Sequence, residues 1–102
     1  MAFDGTAVIA GYAEHAAQRP FRGELRFGLQ QYADLAALAL EDAGIDWSEV
    51  DGLTCSGEIQ ESTGFMPAAV AEYCGWSVNL AERLDLGGAS SVGAVWRAAV
   101  AV

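Results

Sequence analysis

The amino-acid sequence predicts an α/β fold in which three strands and three helices alternate in the order βαβαβα. A short apolar run near the N-terminus is bounded by glycines, and two long segments carry apolar residues at helical spacing. An alternating apolar and polar segment precedes the second of these helices. Strands that alternate with helices imply right-handed crossovers onto a mostly parallel sheet.

The first half of the chain contributes one strand and one helix. Thr6–Tyr12 has the composition of a buried strand, and 14–28 is predicted to be a long loop. Leu29–Ala43 follows helical spacing around much of its circumference, and Gly44 suits a left-handed helix cap. Asp46–Glu49 resembles a capped helical turn.

The middle of the chain contributes the second strand and the second helix. Val50–Cys55 is the predicted strand, and the polar segment Gly57–Gly64 is predicted to be a loop. Pro67 suits the first turn of a helix that runs to Cys74 and ends at Gly75.

The last third contains the alternating strand Ser77–Leu86, whose apolar face is interrupted by Glu82. A final helix begins near Ala89 and is still apolar at Val102. The apolar residues at helical spacing in this helix are Val92, Val95, Trp96, Ala99 and Val100. We therefore expect 1–102 to be a partial domain that stops within or just after its third main helix.

Composition and charge exclude several classes of partner. The 102 residues are 53% hydrophobic and 19% charged, as in a globular core former, and the net charge is −9. Nucleic acids and anionic membranes both need a positive surface, so neither is an expected partner. No segment has the length and apolarity of a membrane span or the start of a signal peptide, and no metal-ligand spacing is present. Cys55 and Cys74 are expected to be free buried thiols, which predicts a cytoplasmic protein.

The segment Leu84–Val92 is the predicted site, because it joins a strand to a helix through two glycines and two serines. A helix N-terminus offers free N–H groups and the positive end of the dipole. Ser90 and Ser91 are candidate nucleophiles or, alternatively, helix caps, and no neighbouring residue provides a base. Gly87, Gly88 and Ala89 could present backbone N–H groups to a substrate oxygen, or the glycines could only permit a tight turn.

Five segments carry a resemblance to a known family, in this order and spacing: Ala7–Gly11, Asp34–Ile45, Val50–Leu53, Ala68–Gly75 and Gly87–Ser91. Together they resemble the N-terminal half-domain of the thiolase superfamily. The resemblance implies a duplicated five-layered α/β protein, usually a dimer, that acts on coenzyme A thioesters. Coenzyme A would enter as part of the substrate, with no other cofactor.

The resemblance also implies a missing nucleophile. The turn before the third helix of ordinary thiolases carries the attacking cysteine, and the aligned residue here is Gly88. This replacement resembles the lipid-transfer-type branch, in which some members are aldolases that break a carbon–carbon bond of acyl-CoA esters by a retro-aldol step. The family's histidines and second cysteine belong to later segments, so this chain alone is expected to be inactive.

Two other functions remain open. The chain could be a non-catalytic scaffold or interaction subunit that a partner chain completes, or a conventional acetyl-CoA acyltransferase. A homodimer or heteromeric complex would form through Ser77–Leu86 and the helix that follows.

The remaining candidate residues lie in or beside the long loop or are tryptophans. His15 is either a solvated loop residue or a catalytic group. A cluster of three arginines could contact a coenzyme A phosphate or pair with carboxylates; its members are Arg19, Arg22 and Arg26. Core or interface packing is expected of the tryptophans, Trp47, Trp76 and Trp96.

Overall fold

A computed structural model of the chain describes residues 6–17, 23, 28–56 and 66–102. The helices and strands in these residues are α1 (Gly28–Ala43), β1 (Gly52–Ser56), α2 (Ala68–Cys74), β2 (Leu80–Leu84) and α3 (Ser90–Ala101). The strands pair in parallel, with Gly52 opposite Leu80 and Ser56 opposite Leu84. The α/β class and the parallel sheet are therefore confirmed.

The predicted first strand at Thr6–Tyr12 is wrong, because these residues form no ladder with β1 or β2. Within the described residues the sheet has two strands instead of three. The N-terminal segment (residues 6–12) contacts α1 instead: the Tyr12 N–H donates to Asp42 Oδ2 at 3.1 Å. Gly11 approaches α1 so closely that a Cβ there would lie 2.6 Å from the Ala39 carbonyl oxygen.

The predicted ends of the first two helices are confirmed. α1 stops at Ala43 and is followed by Gly44 with φ of 71°. The N–H of Gly44 donates to the Glu41 carbonyl and that of Ile45 to the Leu40 carbonyl, which is the Schellman arrangement. Gly75 ends α2 in the same way, with φ of 73°.

A pair of tryptophans follows these two helix ends. Asp46 caps the short 3-10 turn Trp47–Glu49 through a capping box, as the sequence predicts. The rings of Trp47 and Trp76 lie 4.7 Å apart at 39°, and the Trp47 Nε1–H donates to the Cys74 carbonyl at 2.9 Å. Because the turn precedes β1 and Trp76 precedes β2, the pair lies at the amino edge of the sheet.

The alternation in Ser77–Leu86 is confirmed over Leu80–Leu84, where every second residue is partly buried. Glu82, which interrupts the apolar face, is half-buried and pairs with Arg97 of α3. Arg97 Nε lies 2.7 Å from Oε2 and Nη2 lies 2.8 Å from Oε1. This two-point contact satisfies the carboxylate on an otherwise apolar face and attaches α3 to β2.

Helix α3 packs on β1 and β2 through its small residues. Ser90 and Ala94 are buried, and Thr54 Oγ1 of β1 donates to the Ala94 carbonyl at 3.2 Å. The large apolar residues that give α3 its helical spacing lie on its other sides: Val92 is 76% exposed and Val95 is 52% exposed.

Candidate functional site

The site predicted from the sequence lies at the carboxyl edge of the sheet. A 3-10 turn, Gly87–Ala89, follows β2 and leads directly into α3. Ser56 ends β1 beside it, and its Oγ lies 3.3 Å from Ser91 Oγ. Because ligands of open α/β sheets bind outside the carboxyl ends of the strands, this is the edge where a site belongs.

The two glycines of the turn differ in what they do. Gly87 has φ of 60°, a left-handed conformation that other residues adopt with strain, and its N–H donates to Asp85 Oδ1 at 3.3 Å. Gly88 has no positive φ, and a Cβ at Gly88 would meet no atom within 4 Å. The backbone geometry therefore requires glycine at 87 but not at 88, where the absent side chain leaves open space.

The open space at Gly88 gives access to the backbone. Among the described residues, the Gly88 N–H has no hydrogen-bond partner, whereas the Ala89 N–H donates to the Leu86 carbonyl at 3.3 Å. Ala89 precedes the first residue of α3, and its side chain makes no cap. A ligand oxygen over Gly88 would meet a free donor at the positive end of the α3 dipole.

The two serines of the turn have different environments. Ser90 is buried, and its Oγ accepts the Leu86 N–H at 2.8 Å and donates to the Gly87 carbonyl at 2.7 Å. The Ser90 hydroxyl thus fixes the shape of the turn, and its proton is directed to a carbonyl instead of a base. Ser91 is exposed, with Ser56 as its side-chain contact.

The structure adds Tyr32 and Ser56 to this edge, although the sequence singles out neither as a site residue. The Tyr32 hydroxyl donates to the Ser56 carbonyl at 3.0 Å. Partial burial, with a smaller effect of Cys55, raises the pKa of Tyr32, so the phenol remains a donor at neutral pH. Tyr32 sits among the apolar positions of α1 in the sequence, and only tertiary packing brings it to the edge of the sheet.

The two cysteines are free, as the sequence predicts, but Cys74 is only partly buried. Cys55 is buried in β1, where desolvation and then the nearby Cys74 raise its pKa to about 11. Burial also raises the pKa of Cys74. Both thiols are protonated at neutral pH, which disfavours either of them as a nucleophile.

Within the described residues, none of the remaining candidates adds a contact to the turn. His15 is exposed, and Arg19, Arg22 and Arg26 lie outside the described residues, as does the predicted loop Gly57–Gly64. In the described ranges no three His, Cys, Asp or Glu residues cluster in a way that could hold a metal ion. Of the tryptophans, Trp47 and Trp76 pack together and Trp96 is 42% exposed.

Comparisons with protein-family models, with curated proteins and with solved structures give no match to this chain. None of the helices in the described residues combines the length and apolar character needed to cross a bilayer.

Proposed function

We propose that this chain is the N-terminal segment of a thiolase-like protein that acts on acyl-CoA thioesters. In this proposal the turn Gly87–Ala89 binds the thioester carbonyl oxygen, and Gly88 stands where the family has its cysteine. The observation that carries the proposal is the open space above Gly88 at the carboxyl edge of the sheet, next to a free backbone donor.

The chemistry that fits such a turn is carbon–carbon bond cleavage or formation of the retro-aldol type. A base removes the proton of the β-hydroxyl group, the Cα–Cβ bond breaks, and its electron pair passes to the thioester carbonyl. N–H groups aimed at that oxygen stabilise the resulting enolate. Gly88 cannot form an acyl-enzyme, and Ser90 is held by Leu86 and Gly87, so the acid and base come from other residues.

The proposal is tested by the binding of acetyl-CoA to the full chain, measured by isothermal titration calorimetry. Gly88→Asp places a carboxylate in the open space, where it repels the carbonyl oxygen, and should weaken binding at least tenfold. Gly52→Asp is the matched control, because it adds the same charge to an exposed glycine at the opposite edge of the sheet. Unchanged affinity in Gly88→Asp, or no binding by the parent chain, would contradict the proposal.

A second candidate function is a scaffold or interaction subunit that another chain completes. It is supported by exposed apolar residues: Leu86, which follows β2, is 55% exposed, and Trp96 of α3 is 42% exposed. In this proposal the interface, with a second copy or a different chain, comprises Ser77–Leu86 and α3. Leu84→Asp should then disrupt folding or assembly, and an unchanged mass in size-exclusion chromatography would count against this interface.

A further inference from the structure

Helix α3 contains a glycine that its backbone conformation does not require. Gly93 lies in the interior of the helix and has no positive φ. Glycine is among the least favourable residues at such a position, because it loses more backbone entropy on folding than any other residue. The structure provides a reason for a glycine here in the side chain that occupies the space of its missing Cβ.

The space beside Gly93 is occupied by Leu86. An ideal Cβ at Gly93 would lie 2.5 Å from Leu86 Cδ1 and 3.7 Å from Leu86 Cγ, and the first distance is well inside the normal separation of two carbon atoms. The Leu86 side chain therefore lies directly against the α3 backbone, in a position that a side chain at 93 would exclude. Leu86 is 55% exposed, so its side chain is not enclosed by a core and depends on this contact for its position.

The backbone of Leu86 belongs to the turn that carries Gly88. The Leu86 N–H donates to Ser90 Oγ at 2.8 Å, and the Leu86 carbonyl accepts the Ala89 N–H at 3.3 Å. Both bonds span Gly88, which lies only two residues after Leu86. Nevertheless, no atom lies within 4 Å of the Cβ position of Gly88. The contact with Gly93 thus directs the leucine side chain away from the open space.

We infer that Gly93 is a positioning residue for the open space above Gly88. Gly93 accepts the Leu86 side chain against the α3 backbone, which keeps that side chain off the turn and leaves Gly88 accessible. A side chain at 93 moves Leu86 into another rotamer, toward the turn, and reduces access to Gly88. The inference concerns access for a ligand of any kind, so it goes beyond the proposed function and does not depend on coenzyme A.

The test measures access to position 88 with one introduced thiol. Gly88→Cys places a thiol in the open space, and its alkylation by iodoacetamide gives a rate constant for access, once corrected for the thiolate fraction and for the parent chain's own cysteines. Gly93→Ala in this background should lower the rate constant by roughly threefold or more, because the displaced side chain covers the thiol most of the time. Leu86→Ala, added to this pair, should restore the rate constant, because it removes the displaced side chain.

Two further variants serve as controls. Gly52→Ala should leave the rate constant unchanged, because its Cβ would make only an ordinary contact with Leu80, at 3.8 Å. Gly93→Ser adds a Cβ at the same point as Gly93→Ala but favours the helix less. Both variants at 93 should therefore slow alkylation to a similar extent while their free energies of unfolding differ. A rate constant that follows the free energy of unfolding instead would assign the effect to helix propensity and overturn the inference.

The outcomes are distinguishable from those of the proposed function. An unchanged rate constant in Gly93→Ala, or a lowered one that Leu86→Ala does not restore, would overturn the positioning role of Gly93 and leave the carbonyl site standing. Absence of acetyl-CoA binding would contradict the proposed function and leave the positioning role standing, because no step of the alkylation experiment involves coenzyme A.

Discussion

At the residue scale, two adjacent serines show how position decides the role of a hydroxyl group. Ser90 is buried and makes two hydrogen bonds within the turn, to the Leu86 N–H and the Gly87 carbonyl. Ser91 is exposed, and within the described part of the chain its side chain contacts the hydroxyl of Ser56. From the sequence, the two serines are equivalent candidates. In the structure, Ser90 is the one that stabilises the turn.

The difference between the serines predicts two unequal losses of stability. Ser90→Ala leaves the partly buried Leu86 N–H without its partner and should lower the free energy of unfolding by about 1–2 kcal/mol. Ser91→Ala, the matched control, should change it by less than about 0.5 kcal/mol. Urea unfolding followed by circular dichroism measures both. Equal effects of the two variants would show that Ser90 does not hold the turn.

A cysteine placed at Gly88 should have a lowered pKa. The helix dipole and the free N–H at this end of α3 favour a thiolate, so the pKa of Gly88→Cys should fall below the ordinary value of about 8.5. Ala101→Cys, at the other end of the same helix, should not show this decrease. The pH dependence of the alkylation rate measures the pKa of each introduced thiol. Cys55 and Cys74 have raised pKa values, so their alkylation occurs at higher pH and can be distinguished.

The buried thiol of Cys55 predicts a loss of stability at alkaline pH. Its pKa is raised from 9.0 to about 11 in the folded chain, so the unfolded chain loses the proton first. The stabilisation is fully present below pH 9 and is lost as the pH rises through about 11. Cys74 and Tyr32 contribute in the same direction, since their pKa values are also raised. Urea unfolding across this range should show a shallower decline in Cys55→Ala than in the parent, and identical slopes would exclude the thiol as the cause.

At the element scale, the sequence predicts the ends of the helices better than it predicts the strands, because helix ends depend on neighbouring residues and strands depend on distant partners. Gly44 and Gly75 mark helix ends through bonds that stay within six residues, so the sequence is sufficient to place them. The N-terminal segment has the composition of a buried strand, but strand formation needs a distant partner, and neither β1 nor β2 pairs with it. Similarly, the sequence marks Glu82 as an exception without showing that Arg97 lies opposite, because that requires the packing of α3 on β2.

The same limits apply to the candidate site. The strand-to-helix turn Gly87–Ser91 could be found from its residue types, because its signals are consecutive in the chain. Tyr32 and Ser56 could not. Ser56 meets Ser91, and Tyr32 meets Ser56, only through contacts between segments that are distant in the sequence.

The close contact between Gly11 and α1 predicts the effect of a single methyl group. Gly11→Ala would place a Cβ against the Ala39 carbonyl, a backbone atom that cannot rotate away. The N-terminal segment must then move off α1, which should cost about 1–3 kcal/mol of stability. Gly52→Ala is the control, because its Cβ would make only an ordinary contact with Leu80, at 3.8 Å. Amide exchange at Tyr12 should accelerate in Gly11→Ala alone, and unchanged exchange would show that the contact does not hold the segment.

At the scale of the whole molecule, the described residues bury few side chains and expose many large apolar ones. The buried apolar residues include Cys55 of β1, Val70 and Ala71 of α2, and Ala94 of α3. By contrast, Val8 is 81% exposed and Ile9 is 78% exposed. Contiguous exposed apolar surface of this kind marks binding sites or interfaces.

Because few side chains are buried, the stability of the chain should depend strongly on each of them. Val70→Ala removes about two buried methylene equivalents and should lower the free energy of unfolding by about 2 kcal/mol. Val92→Ala removes the same atoms from an exposed position and is the matched control. Chemical unfolding distinguishes them, and similar losses in both variants would show that Val92 is covered in solution.

The contact between Trp47 and Trp76 provides an intrinsic fluorescence signal for the folded state. This pair senses the joining of the two helix ends at the amino edge of the sheet, far from the turn at the carboxyl edge. The third tryptophan, Trp96, lies on α3 and is partly exposed. Emission from one chain therefore carries two separable signals: quenching of Trp96 by a soluble quencher reports coverage of α3, and the signal of the tryptophan pair reports whether the fold itself is intact.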